Sequence, residues 1–254
     1  MKNFKYFITI FIAIFCISFS YANDDEQLML QADSAYQQEN YEQAIQAYSQ
    51  IIANGNQGAR LFYNLGNSYY KIGQNAQALL WYERARRLAP ADEDIQHNIA
   101  FVNQKITDKL EPVPEIMFVQ WWHRVCNLCN ETQWAIFSIV ASFLLFIGLI
   151  AFFFSDNMIL RVSGTIIFWL SAIVLIFSII FASQQKNKTE NNPEAIIMDL
   201  VVEAQSTPNG SGNTLFVIHE GLKVQITNKM NGWMEIRLPN GEKGWVPETV
   251  AEAI

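Results

Sequence analysis

The residues whose chemistry stands out first are one histidine and two cysteines placed three positions apart. His123, Cys126 and Cys129 form an H-x-x-C-x-x-C run, a pattern that suggests metal binding or redox chemistry. A structural zinc ion needs four ligands, and the neighbouring sequence offers no obvious fourth. The order also differs from the C-x-x-C-H pattern of haem attachment. We therefore expect no metal and no cofactor here, and a redox enzyme that uses the two thiols stays the alternative.

The rest of the chain lacks the short motifs of common active sites. No P-loop, H-E-x-x-H, G-x-S-x-G or dinucleotide-binding fingerprint occurs among the 254 residues. A net charge of -7, without a long lysine or arginine run, argues against nucleic acid as a partner. The sequence therefore predicts a protein that is not an enzyme and has no catalytic residues.

Apolar residues make up 51% of the chain and are concentrated in three blocks. The first block follows Lys2 and Lys5 and ends at the small-x-small site Ser20-Tyr21-Ala22, which predicts a signal peptide over residues 1–22. An uncleaved membrane anchor is the alternative. Either version exports the rest of the chain.

The other two blocks are long enough to cross a bilayer. They predict transmembrane helices at 133–154 and 159–183, and the link between them is so short that the two must form an antiparallel hairpin. Both soluble parts would then lie on one side of a bacterial inner membrane. The basic residues near the outer ends of the hairpin oppose the positive-inside rule, but the signal peptide favours the periplasmic side.

An internal period of 34 residues marks the region before the hairpin. The second copy is nearly complete, with Phe62, Leu65-Gly66, Tyr69, Gly73, Ala78, Tyr82, Ala85 and Pro90. This spacing resembles the tetratricopeptide repeat family, whose helix pairs stack into a solenoid. The sequence predicts repeats at 25–58 and 59–92 and a capping helix at 93–110.

The tetratricopeptide resemblance implies a protein-binding face built by the first helix of each repeat. Its candidate binding residues here are Asp33, Tyr36, Arg60, Tyr63, Asn67 and Tyr70. The alternative is an ordinary solvated helix face. Asn67 and Asn98 stand where the family's carboxylate-clamp subtype has asparagines, but Tyr63 occupies the place of its lysine, so we do not expect a clamp.

From residue 196 onward the pattern changes to five short β-type runs: 196–203, 215–218, 223–227, 233–238 and 242–246. The segments Gly232-Trp233-Met234-Glu235-Ile236 and Asn240–Pro247 resemble the bacterial SH3 family, which implies a small barrel over 195–254. Trp233 and Pro247 match two members of the aromatic groove of SH3 domains, whereas its tyrosines have no counterparts here. We expect Trp245 in the core. A linker or membrane-interfacial segment is predicted at 111–132, and a linker at 184–194.

The predicted fold is a multidomain membrane protein with an α-helical tetratricopeptide solenoid, a two-helix transmembrane hairpin and a small all-β SH3-like barrel. This order resembles the BatE-type family of Bacteroides aerotolerance proteins. The resemblance implies a scaffold that acts with other Bat membrane proteins, some with von Willebrand factor A domains, and with a MoxR-type ATPase. The bilayer is a further expected partner. The alternative function is a wall sensor whose SH3-like domain binds peptidoglycan.

Overall fold

A computed structural model of the protein describes residues 25–111, 113–114, 116–191, 193–210 and 212–254. The predicted signal peptide at 1–22 lies outside these residues.

Successive helices pack side by side in the first part of the described chain. They are α1 (25–37), α2 (Tyr41–Ala53), α3 (Ala59–Lys71), α4 (Asn75–Leu88) and α5 (Glu93–Asn103). The side chain of Asn40 caps α2 by accepting from the Gln43 amide, and Asp92 caps α5. Gly73 lies between α3 and α4 at φ +81°, a conformation that glycine adopts without steric cost. The capping helix ends at Asn103, earlier than the predicted residue 110.

The helical core depends on a close approach between α3 and α4. Tyr48, Leu65 and Tyr82 are almost completely buried. A Cβ atom at Gly66 would lie only 2.7 Å from two ring carbons of Tyr82. Glycine at this position therefore lets the two helices pack more closely than any larger residue allows.

Helix α6 (Met117–Cys126) lies in the segment that was predicted as a linker, and two long helices follow it. The long helices are α7 (Glu131–Phe154) and α8 (Met158–Asn191), and both are long and apolar enough to cross a membrane. They are antiparallel and meet at Gly148, where an added Cβ would lie 2.8 Å from the Gly164 carbonyl oxygen. Most of their large apolar side chains point outward and are exposed. Helix α8 runs well past the predicted end at 183, into the predicted linker.

The C-terminal part is an antiparallel sheet with the strand order β3-β2-β6-β5-β4-β1-β7. Its strands are β1 (Glu194–Ile197), β2 (Val201–Gln205), β3 (Thr214–His219), β4 (Lys223–Met230), β5 (Trp233–Arg237), β6 (Lys243–Pro247) and β7 (Ala251–Ala253). The single strand predicted at 196–203 is wrong, because the chain turns between β1 and β2. The pairing describes an open sheet with β3 and β7 at its edges, so the closed SH3-like barrel stays a prediction.

The sheet packs directly against the helical repeats. Ile196 of β1 is completely buried within the same apolar core as the repeat helices. Arg84 of α4 donates to a carboxylate oxygen of Glu252 at 2.9 Å, and Arg87 donates to the carbonyl of Ile254. Farther along, Asp108 accepts from the backbone amide of His219 at 2.6 Å. The helical part and the sheet therefore share an interface that is apolar at its centre and polar at its edges.

Candidate protein-binding groove

Helices α1 and α3 form the walls of an open polar cavity of about 320 Å³. Its lining consists of Asp33, Tyr36, Gln37, Tyr48, Arg60, Asn64 and Asn67. We call this cavity, its continuation along α3 at Tyr63 and Tyr70, and the adjoining Asn98 and Lys105 the groove. The first helix of each repeat supplies most of the lining, as the sequence predicts.

Asp33 is the centre of the first hydrogen-bond network in the groove. Its carboxylate accepts from the Tyr48 hydroxyl at 2.6 Å, from Arg60 at 2.7 Å and from the Asn64 amide at 3.1 Å. Burial raises the pKa of Tyr48 above its ordinary value, and the hydrogen bond to Asp33 raises it further. Tyr48 therefore stays a hydroxyl donor, and the network fixes the Asp33 carboxylate.

Asn67 is the centre of a second network, one repeat later. Its side-chain oxygen accepts from the Tyr82 hydroxyl at 2.7 Å and from the Asn98 amide at 3.0 Å. Asn98 also donates to the Tyr63 hydroxyl at 3.1 Å. Burial raises the pKa of Tyr82. The two asparagines of the clamp comparison thus bond to each other and to tyrosines.

The two networks are copies of each other. Tyr48 and Tyr82 each donate to a residue 15 positions earlier, and Asn64 and Asn98 each donate to a residue 31 positions earlier. The two tyrosines are 34 residues apart, and so are the two asparagines and the two acceptors, Asp33 and Asn67. The repeat therefore preserves a polar network as well as an apolar core. The central acceptor is a carboxylate in the first copy and an amide in the second. The bond of Arg60 to Asp33 belongs to the first copy alone, and the bond of Asn98 to Tyr63 belongs to the second.

The groove continues toward α5 at Tyr70. The ammonium group of Lys105 donates to the Tyr70 hydroxyl at 2.6 Å and lies 4.5 Å from the centre of its ring. The same ammonium lies 5.3 Å from the centre of the Phe101 ring. This end of the groove therefore combines a cation with aromatic surface.

The structure brings the six predicted repeat residues onto one face. Asp33, Tyr36, Arg60 and Asn67 line the cavity, whereas Tyr63 and Tyr70 extend the groove through their bonds to Asn98 and Lys105. Further residues of the groove are absent from the predicted set, among them Gln37, Tyr48, Asn64 and Lys105. Asn64 lies 34 residues before Asn98, and this repeat spacing is the signal that indicates Asn64 as a groove residue.

Trp233 and Pro247 lie in a different place, on the sheet. They are direct register partners on β5 and β6, and both are half-buried. Trp245 pairs with Glu235 on the same face, whereas its neighbours Gly244 and Val246 are buried. The prediction of a core position for Trp245 is therefore wrong. The alternation of β6 turns Val246 inward and leaves both tryptophans and Pro247 on the outer face.

The H-x-x-C-x-x-C residues lie at the end of α6 and in the turn after it. Cys126 and Cys129 are not joined by a disulfide. The Cys126 thiol is buried and lies 3.1 Å from the Gln184 side-chain oxygen. Burial raises the pKa of the Cys129 thiol, which disfavours the reactive thiolate. Within the described ranges, no three histidine, cysteine or acidic side chains are grouped so that they could hold a metal ion.

Comparison with known families agrees with the repeat geometry. The tetratricopeptide repeat family profile matches residues 29–93, which include most of both predicted repeats and the whole cavity lining. No curated protein matches the chain. Tetratricopeptide repeats are protein–protein interaction modules, so this region has the character of a binding scaffold.

Proposed function

We propose that the protein is a membrane-anchored scaffold that holds an extended segment of a partner protein in the groove. The observation that supports this most strongly is the duplicated network, because it orients polar groups at the groove before any partner arrives. Groups fixed in advance lose less conformational entropy on binding than mobile ones.

The charges of the groove indicate what kind of segment it would accept. The Arg60 side chain is 75% exposed although it bonds to Asp33, so its guanidinium can also reach a ligand. Lys105 adds a second cation near Tyr70, and tyrosine rings lie between them. A partner segment with an acidic side chain and one or more apolar or aromatic side chains would match this order.

Anchoring is proposed from α7 and α8. Their outward side chains are apolar and exposed, which suits contact with lipid and not with water. A hairpin returns the chain to the side from which it entered. The contacts of Arg84 with the last strand and of Arg87 with Ile254 after it need both soluble parts on one side. The predicted signal peptide favours the periplasmic side of a bacterial inner membrane.

The resemblance to BatE-type proteins supports a more specific proposal. The partner would be another membrane protein of the same assembly, such as a Bat-type protein with a von Willebrand factor A domain, in a system with a MoxR-type ATPase. The chain's own part in this assembly would be to bind and position, not to catalyse.

Site-specific photocrosslinking in cell membranes tests the scaffold. A photoreactive residue replaces Gln37, which is exposed in the groove, or Gln46, which is exposed on α2 outside it. We expect a discrete crosslinked membrane protein from position 37 only, and a loss of this product when Arg60→Glu is added. Equal products from positions 37 and 46, or no effect of Arg60→Glu, would contradict binding in the groove.

The outer face of the sheet favours a second candidate function. Trp233, Trp245 and Pro247 form a half-buried face of two indoles and a proline ring, a surface type that stacks against sugars or extended peptides. The wall-sensor alternative would use this face to bind peptidoglycan. Sedimentation of the detergent-solubilised chain with purified sacculi tests it. Binding that is lost in Trp245→Ala would support the sensor, and the absence of sedimentation would exclude it.

A further inference from the structure

The larger cavity of about 790 Å³ lies away from the groove, between the repeats and the hairpin. Its walls are the α4–α5 corner on one side and the turn between α6 and α7 on the other, and Gln185 of α8 also borders it. Its size falls within the range of roughly 300–1,000 Å³ that small-molecule sites occupy. The proposed function makes no use of this cavity.

The cavity lies at the level where the long helices leave their apolar stretches. Two lining residues, Glu131 and Thr132, are the first residues of α7. Nearby, the indole of Trp134 packs on Phe181 and donates to the Cys126 carbonyl at 3.0 Å. Tryptophans with an apolar ring contact and a polar N–H partner are typical of the membrane–water interface. With α7 and α8 in a bilayer, the cavity opens at the depth of the lipid headgroups.

Three guanidinium groups border the cavity. Arg86 and Arg87 come from the last turn of α4, and Arg124 is exposed in the last turn of α6. Arg86 bonds to Glu83 at 2.5 Å, and Arg87 donates to the backbone oxygen of Ile254. A guanidinium group carries five N–H donors, so each of these arginines has further donors for a ligand. Arginine presents a planar fork of donors that matches a phosphate group.

The lining also contains carboxylates and a large exposed apolar side chain. Glu194 is paired with Lys223 at 2.8 Å, which offsets its charge, whereas Glu93 and Glu131 begin α5 and α7. Leu128 is 58% exposed and borders the same cavity. A phospholipid at a protein surface contacts polar and charged groups with its headgroup and apolar groups with its chains. This cavity offers cations, carboxylates and an apolar edge at the depth of the headgroups.

We propose that this cavity is a phospholipid site, in which the guanidinium groups bind the phosphate of a lipid headgroup. The acyl chains would pass along Leu128 and enter the bilayer beside α7. The site would fix the orientation of the helical repeats relative to the membrane surface. This inference rests on the membrane placement of α7 and α8 but not on any partner in the groove.

Native mass spectrometry of the full chain in a non-ionic detergent tests the proposal. The probes are dioleoyl phosphatidylglycerol, dioleoylglycerol, which lacks the phosphate, and inorganic phosphate, which lacks the chains. We expect one bound phosphatidylglycerol per chain and no retention of the other two probes. Equal retention of dioleoylglycerol would overturn the role of the phosphate, and displacement of the lipid by inorganic phosphate would overturn the assignment to a lipid.

Two variants and a control locate the binding. Arg124→Gln removes one guanidinium without touching the Glu83 or Ile254 contacts, and Ala100→Trp fills the cavity without a change of charge. Arg124→Gln should weaken lipid binding about tenfold or more, since one hydrogen bond to a charged group has that effect. Ala100→Trp should weaken it because the indole occupies the space of the headgroup. Arg161→Gln removes the same charge at the far end of the hairpin and should leave binding unchanged. Equal binding by all three variants would refute the site.

Discussion

A buried carboxylate joins the helical repeats to the sheet, and its replacement gives the sharpest prediction. The Glu83 side chain is 5% exposed. One of its oxygens lies 2.5 Å from Arg86 on the same helix and 3.1 Å from the ammonium of Lys223 on β4. Lys223 also pairs with Glu194 at 2.8 Å. Glu83→Gln keeps the shape of the side chain but removes the charge that both cations share.

The loss of unfolding free energy expected for Glu83→Gln lies between two limits. Exposed ion pairs contribute roughly 0–1 kcal/mol each, whereas removal of one partner from a fully buried pair costs roughly 3–5 kcal/mol. Arg86 and Lys223 are 36% and 24% exposed, so water screens both of them in part. We therefore expect Glu83→Gln to lower the free energy of unfolding by about 2 kcal/mol, of which about half belongs to the pair with Lys223.

A double-mutant cycle isolates the contact between the two parts of the protein. Urea unfolding of the full chain in detergent, followed by far-ultraviolet circular dichroism, is compared for wild type, Glu83→Gln, Lys223→Gln and the double variant. The coupling energy should be about 1 kcal/mol, because the two groups are in direct contact. The pair of Asp33 and Arg60, in which the Arg60 side chain is 75% exposed, serves as the control and should give roughly 0.5 kcal/mol or less. A coupling energy near zero for Glu83 and Lys223 would refute the packing of the sheet on α4.

Three further predictions follow from the packing. Gly66→Ala should lower the free energy of unfolding by about 1 kcal/mol in the same urea assay, since a new Cβ would lie 2.7 Å from the Tyr82 ring and overpacking outweighs the gain in helix propensity. Gly148→Leu should reduce the hydrogen-exchange protection of α7 and α8, because the side chain would collide with the backbone at Gly164. Stability should fall as the pH rises above about 10, because unfolded tyrosine ionises there while burial keeps the Tyr48 pKa higher in the folded state. Tyr48→Phe should make that fall less steep.

The helical repeats could be predicted well from the sequence because their signals are local. Glycine, alanine and tyrosine recur with the repeat period, because the size of each side chain must fit the space between neighbouring helices. Gly66, which packs against the Tyr82 ring, is an example. The six residues predicted for a binding face were chosen from their places on the first helices, and their part in binding stays a prediction. The duplicated hydrogen bonds were not predicted, because the Asn64 and Asn98 amides bond to residues 31 positions earlier. These partners lie on other helices, and the periodicity within one helix does not indicate such contacts.

The rest of the fold depends on contacts between distant residues. The run 196–203 reads as one strand, yet the chain bends at Asp199 and Leu200 so that β1 can lie between β4 and β7. The bonds of Arg84 to the last strand join residues 168 and 169 positions apart, a separation at which no sequence pattern operates. The prediction for Trp245 was wrong because the alternation of side chains along a strand assigns them to two faces but does not indicate which face is buried.

Accessibility of single cysteines tests most directly the central claim that the repeats and the sheet lie together on one side of the membrane. With the native cysteines replaced by serine, a cysteine is placed at Gln46 on α2, at Lys229 on β4 or at Asp156 in the turn between α7 and α8, all of them exposed. In cells with a permeable outer membrane, an impermeant maleimide should label positions 46 and 229 equally. Position 156 should react only after the inner membrane is opened. Labelling of only one of positions 46 and 229 would contradict the account.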